Sequence, residues 1–389
     1  MTKTRDSFPD ILRGFALLGI AMVNVQYFAV DTVSGFESAD LTSGANSAAA
    51  FAVMFIFQSK FYLLFSFLFG YSAQYVIRGE LVNKRRWIGR AVGLLLLGFL
   101  HAAFFFHGDI LIPYGVFAFV LLTLYFRSER IIRGWARGIY IVIGVLFSVL
   151  ALLTYVGELF LASQGKTLPS ETAGLEGLNQ ALATGGFLEA AVARFELWLA
   201  FAPQGFLVQG PLVMVALLVG VLVARKDGLA NGADPKLMRR MAIWGLAIGL
   251  PLQLLAAIVY IINLQADAYS LGLSLISLAI NFLTAPILSA GYVGALWMLV
   301  QKLGDIKLLS AAGRHSLSIY LGQSVVFSIL FSAWGVGLFA ELDAWLVAVT
   351  AALVWLGLSL LAVVNLKFRY RGPMEALLTN FSKLFVKRA

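Results

Sequence analysis

Apolar residues in this chain come in long unbroken stretches, not in the two-residue or three-to-four-residue alternation of water-facing elements. Windows near 11–31, 60–77, 88–107, 110–126, 139–162, 205–224, 241–263, 272–300, 315–338 and 344–365 stand out. Most reach the length needed to cross about 30 Å of hydrocarbon. A segment in lipid must satisfy its own backbone polar groups, so each window reads as an α-helix. The alternation of a membrane β-barrel is absent. The expected fold is all-α: a polytopic membrane protein of about ten transmembrane helices, forming one domain over residues 1–389 with no water-soluble part. The first window carries Arg13 and Asn24 and lacks a small-x-small cleavage site, so it reads as an uncleaved span, not a signal peptide.

The polar connections agree with this count. One alternating set of loops holds 25 of the 29 Lys and Arg residues, including Lys3, Arg5, the Lys84–Arg90 cluster and Arg127–Arg137. It continues through Arg225–Arg240, Lys302–Arg314 and Lys367–Arg388. The opposite set holds Lys60, Lys166 and Arg194. By the positive-inside rule both termini are cytoplasmic, in a bacterial plasma or inner membrane. Residues 164–186 form a polar outer loop with Glu171 and Glu176. The following stretch, 187–203, mixes apolar residues with Glu189, Arg194 and Glu196 and suits a helix in the outer interface. No internal repeat of the transporter kind is evident.

Composition narrows the chemistry. The chain is 60% hydrophobic and 13% charged, against roughly 25% charged in a soluble domain. Its net charge of +9 is explained by the loop bias and does not imply nucleic acid. No cysteine and only three histidines leave no basis for a zinc or haem site, and no metal is expected. P-loop, HExxH, GxSxG and Rossmann patterns are missing.

Ionisable and polar groups inside apolar windows are the functional candidates, because lipid penalises them. Arg13 and Asn24 share one face of the first span, roughly 16 Å apart along its axis. The plain alternative is a snorkelling arginine and a helix-packing asparagine. His101 lies near the outer end of the third span, with His107 and Asp109 at the turn into the fourth. A histidine beside a carboxylate can act as a general base, the carboxylate fixing its tautomer. The alternative is a buried histidine satisfied by a carbonyl, with Asp109 capping the next helix. Gly313-Arg314-His315-Ser316 opens the ninth window, where free backbone N–H groups and Arg314 suit an anion. An ordinary helix cap carrying inner positive charge explains the same residues. Tyr320, Gln323 and Ser324 form one polar stripe beyond it. Lys60, beside Tyr62, stands at the outer start of the second window, where positive charge is otherwise excluded.

Five blocks carry a resemblance: DILRGFALLGIAMVN at the start, KFYLLFSFLFG at 60–70, FLHAAFFFHGDILIPYG at 99–115, GRHSLSIYLGQS at 313–324 and FRYRGPMEALLTNFS at 368–382. In this order they resemble the YeiB-like bacterial membrane proteins, domain-of-unknown-function family 418. That family is similar to transmembrane acyltransferases of the heparan-α-glucosaminide N-acetyltransferase and acyltransferase-3 types. These enzymes move an acyl group from cytoplasmic acyl-CoA to an acceptor across the membrane. The shared features are Arg13 with Asn24 and the Gly313–Leu321 block. The chain departs from these enzymes in having no histidine in 25–100 and Gln323 where a histidine often stands. His101, and after it His107, then take the role of base.

The resemblance implies an acyltransferase using acyl-CoA and an extracytoplasmic hydroxyl or amine on a lipid or glycan. In it Arg13, Arg314, Ser316, Tyr320 and Gln323 serve the CoA side. His101, Asp109 and Asn24 serve catalysis, and Lys60 and His107 the acceptor. No permanently bound cofactor is implied, and a homodimer is compatible with it. Transport of a small solute or lipid through the same polar residues, and a scaffold role, remain the competing classes.

Overall fold

The computed structural model describes residues 7–166, 176–229, 232–368 and 370–386. Lys3, Arg5, Glu171, Arg369, Lys387 and Arg388, used above, lie outside the described residues. Among the described residues every regular element is helical. Helix α1 runs Phe8–Asn24 with a proline in its first turn, where the missing N–H has no intrahelical partner to lose. A short α2, Gln26–Ala29, continues it. The loop beyond folds back through a 3-10 turn, Gly35–Ser38, whose Phe36 N–H donates to Gln26 Oε1 at 2.9 Å.

Helix α3, Gly44–Ala52, passes into a π-helical turn, Val53–Phe57. Ser59, at φ 69°, then breaks the path before α4, Lys60–Ile77. Together Gly44–Ile77 make a 34-residue apolar segment. The expected window at 60–77 is therefore only its second half. The Ser, Asn and Ala residues of SGANSAAA dilute the hydropathy of the first half, although Ala is the best helix former.

Next come α5 (Lys84–Phe104), α6 (Leu111–Tyr125), α7 (Glu129–Ser163), α8 (Glu176–Thr184) and α9 (Phe187–Val208). The segment expected to be a polar loop at 164–186 thus contains a helix. The stretch expected in the interface runs on to Val208 and meets α10, Gly210–Arg225, at a bend of 53°. Helix α11 (Pro235–Leu264) is capped by Asp234, which accepts from Lys236 N–H, and α12 (Leu271–Leu303) is capped by Ser270. Helices α13 (Lys307–Arg314), α14 (Ser316–Phe331), α15 (Ala344–Lys367) and α16 (Pro373–Lys383) complete the described chain.

Among the described residues, seven helical segments are long and apolar enough to cross a membrane, or eight if the bent α9–α10 pair is one span. Two expected spans, α6 and α14, are 15 and 16 residues long. Close helix contacts are made where a side chain would collide. A Cβ on Gly70 of α4 would lie 2.1 Å from the Leu217 carbonyl oxygen of α10, and one on Gly220 equally close to that of Phe67. Gly14 and Gly313 bring α1 and α13 together in the same way, Gly313 facing the Asp10 carbonyl. Such small-residue contacts replace the hydrophobic drive that lipid does not supply. Helix α7 buries only 11% of its most apolar window, so it lies at the periphery, turned to lipid.

Candidate functional site

His101 is in the last turn of α5, and Asp109 ends the turn that leads into α6. The turn is closed by Phe105 and Phe106 N–H groups donating to the His101 carbonyl. It brings His101 Nδ1 within 2.7 Å of Asp109 Oδ2, with both side chains buried. The other oxygen, Oδ1, accepts from Ile112 N–H at 2.7 Å and so caps α6. Both readings of Asp109, cap and histidine partner, therefore hold at once. With its carboxylate on Nδ1, the imidazole turns Nε2 away, and Nε2 is buried with no hydrogen-bond partner. Buried polar atoms are normally paired; His101 Nε2 is one of eight buried side-chain atoms without a partner among the described residues, His315 Nε2 being another. The Tyr320 ring stands 5.1 Å from the imidazole, and its hydroxyl accepts from Ile110 N–H at 3.3 Å. Tyr320 thus sits with His101, apart from the arginines with which it was grouped.

A second cluster gathers the arginines. Arg13 donates to Asp10 Oδ1 at 2.8 Å, and Arg314 Nε lies 3.7 Å from Asp10 Oδ2. The two residues expected on the CoA side therefore share one carboxylate. The Gly313–Ser316 motif is placed differently from expectation. Gly313 and Arg314 end α13, His315 forms the break, and only Ser316 starts α14. Nor are the first N–H groups of α14 free, because Leu317 and Ser318 both donate to Glu375 Oε1 from α16. The Ser318 hydroxyl donates to the other oxygen of the same carboxylate. Gln323 is buried and donates to the Leu17 carbonyl at 3.3 Å, facing α1. Asn24 is half-buried at the end of α1.

Lys60 is not at an outer surface. It is fully buried midway along the Gly44–Ile77 segment, donating to the Met54 carbonyl at 2.9 Å. His107 is half-buried in the turn after α5, against the Tyr27 ring. Burial, reinforced by the nearby Arg194 charge, holds its imidazole down at about 3, which makes it a weak base. No group of three or more potential metal ligands occurs among the described residues.

Residues 223–384 match the family model described as "Protein of unknown function (DUF418)". The chain is 30% identical over 365 residues to the uncharacterized protein YxaH of Bacillus subtilis (strain 168), covering 88% of this chain and 85% of that one. The chain belongs to the DUF418 family. It is also 28% identical to the uncharacterized protein YeiB of Escherichia coli (strain K12), over 94% of this chain and 93% of the relative. No solved structure matches it.

Several residues of this DUF418 protein went unassigned in the sequence. Asp10 stands one turn before Arg13, a spacing that already predicts an i, i+3 ion pair. Glu375 lies in the FRYRGPMEALL block but meets α14 only through the fold. Arg194 is buried and donates to the Phe104 carbonyl and to Ser332 Oγ, tying α9 to the end of α5 beside the His101 turn. In the loop after α2, burial pushes the Asp31 carboxyl up. Hydrogen bonds from Ser34, Val33 and Asn179 outweigh that and hold it below its ordinary value. Glu37 of this DUF418 loop goes the other way. Burial, with Asp31 nearby, raises it to about 7 despite a hydrogen bond from Tyr260.

Proposed function

We propose that this protein is a membrane acyltransferase in which His101 is the general base. The observation that carries the reading is the His101 Nδ1–Asp109 Oδ2 contact of 2.7 Å with Nε2 left buried and unpaired. Asp109 fixes the tautomer that keeps Nε2 basic and stabilises the imidazolium formed on protonation. The acceptor hydroxyl or amine gives its proton to Nε2 as its oxygen or nitrogen attacks the thioester carbonyl. The new C–O or C–N bond replaces the C–S bond, and the proton returns to the departing CoA thiolate. No acyl-enzyme is required.

In this reading both termini are cytoplasmic, and the Asp10, Arg13 and Arg314 cluster meets the CoA phosphates from that side. Asn24 stabilises the developing oxyanion, and a lipid or glycan supplies the acceptor. Tyr320 belongs to the reacting end and not to CoA binding.

The test uses purified protein in detergent with acetyl-CoA and palmitoyl-CoA, and free CoA as control. A ligand bound by the folded state raises the unfolding midpoint by mass action. We expect a saturable rise with acyl-CoA, weakened in Arg314→Ala. In membranes given labelled acetyl-CoA, label should enter a lipid or glycan fraction and be lost in His101→Ala. An absence of stabilisation by any acyl-CoA removes the proposal.

Transport is the second reading, favoured by the broken α3–α4 segment with its buried lysine, since discontinuous helices near mid-span are where transporters bind their substrates. Flux into proteoliposomes without chemical change of the solute would support it.

A further inference from the structure

The break between α3 and α4 is made by different helices from those that hold the His101–Asp109 pair. Its π-helical turn, Val53–Phe57, loosens the regular backbone ladder, and such turns are frequent at functional sites. Ser59 follows in the left-handed region at φ 69°, a conformation costly for a residue with a side chain. Lys60 comes immediately after. Its side chain is fully buried and its one hydrogen bond is to the Met54 carbonyl. No salt bridge joins it to a carboxylate among the described residues.

Two amides from neighbouring helices converge on the same point. Asn281 of α12 donates through Nδ2 to Met54 O at 3.2 Å and to Gln253 Oε1 of α11 at 2.8 Å. Its own Oδ1 is buried without a partner, and so is Ser59 Oγ. Ser289 Oγ donates to the Lys60 carbonyl at 3.1 Å, so that oxygen is taken. An ammonium carries three N–H donors; one is used here, and the Ser59 hydroxyl proton is also unclaimed. The centre therefore holds unclaimed donors on Lys60 Nζ and Ser59 Oγ and a single orphan acceptor on Asn281.

We infer that this break is a binding site for a small monovalent anion, held by Lys60 Nζ and the Ser59 hydroxyl. The full burial of Lys60 restricts the ligand to a few atoms. The free Asn281 Oδ1 favours an anion that also carries an O–H, so bicarbonate satisfies the site better than acetate. The site is separate from acyl transfer and stands whether or not that reading survives.

The test is thermal unfolding of purified full-length protein in non-ionic detergent, in HEPES buffer with N-methylglucamine as the cation. Sodium-free bicarbonate or acetate is titrated in. Wild type should show a saturable rise in midpoint, reached at a several-fold lower concentration of bicarbonate than of acetate. Lys60→Met should lose the rise with both anions while melting above wild type in their absence, since it replaces a buried, under-paired amine with a side chain of similar length. Asn281→Ala should keep the rise but lose the preference for bicarbonate. If Lys60→Met gives no folded protein, Lys60→Gln takes its place with the same expected loss. An equal rise in wild type and the Lys60 variant, or none in wild type, overturns the inference.

Discussion

His101 and Lys60 are both buried ionisable groups in a lipid-facing bundle, yet their surroundings differ in one decisive respect. His101 has a carboxylate at 2.7 Å that is itself anchored by a backbone N–H. Lys60 has a single carbonyl and no acid. The first arrangement holds the ring by Nδ1 and leaves Nε2 buried without a partner among the described residues. The second leaves a buried amine with one hydrogen bond and unclaimed donors. A buried pair that loses one member is strongly destabilised because an uncompensated group stays behind, whereas replacing a buried group that lacks partners removes its desolvation cost. The two centres therefore predict opposite responses to truncation.

The largest expected effect is on turnover. Removing a positioned general base lowers rate by about 10²–10⁴, so His101→Ala should abolish labelling while the protein still inserts. Asp109→Asn should fall nearly as far, because an amide presents the wrong hydrogen-bonding face to Nδ1. Full activity in either variant would reduce His101–Asp109 to a structural cap and erase its contrast with Lys60.

The second effect is on stability and has the opposite sign. Lys60→Met should gain about 1–3 kcal/mol in reversible or apparent unfolding free energy, the cost of a buried polar group left unsatisfied. A loss in place of a gain would mean that Lys60 is matched within the resting protein, as His101 is.

The two centres were unequally legible in the sequence. A histidine and an aspartate either side of a tight turn are local, so their pairing follows from chain geometry that eight intervening steps already constrain. The depth of Lys60 depends on where its helix begins, and the polar-looking SGANSAAA start hid half of that segment. Similarly, Arg13 stands out as a charge within the first apolar window and Arg314 as one at the start of the ninth, whereas the i, i+3 spacing links Asp10 to Arg13 alone and its contact with Arg314 comes only through the fold. The start of α14 was misplaced because the break at His315 depends on α13 packing its Gly313 against α1, a long-range contact. Most helices were legible because lipid imposes a length and an apolar content on each span. The short helices α8, α13 and α16 escaped because no such constraint applies to them.

The third prediction concerns the arginine end, where Glu375 fills the N-terminal N–H groups of α14. Losing a capping acceptor costs about 1–2 kcal/mol, so Glu375→Ala should lower the unfolding midpoint modestly. If Glu375 only caps the helix, acyl-CoA affinity stays unchanged in this variant. If the vacated N–H groups take a CoA phosphate, affinity rises as stability falls.

The smallest effect belongs to Glu37, which sharpens the comparison because its burial is partial and its only side-chain donor is a tyrosine. Its carboxyl is raised from 4.5 to about 7 by burial, so the folded state holds its proton more tightly than the unfolded state. Below about 4.5 both states are protonated and Glu37 has no effect on stability. As pH rises toward 7 the unfolded chain ionises first, and stability falls; above 7 the penalty is constant. Water near a partly exposed group screens the interaction, leaving about 1 kcal/mol. Glu37→Gln should therefore match wild type in acid, melt slightly higher above neutrality, and flatten the slope of midpoint against pH between about 4.5 and 7. An unchanged slope would assign the pH dependence to other groups. It would also show that burial without a paired charge, the condition proposed for Lys60, is relieved by water at this end of the bundle.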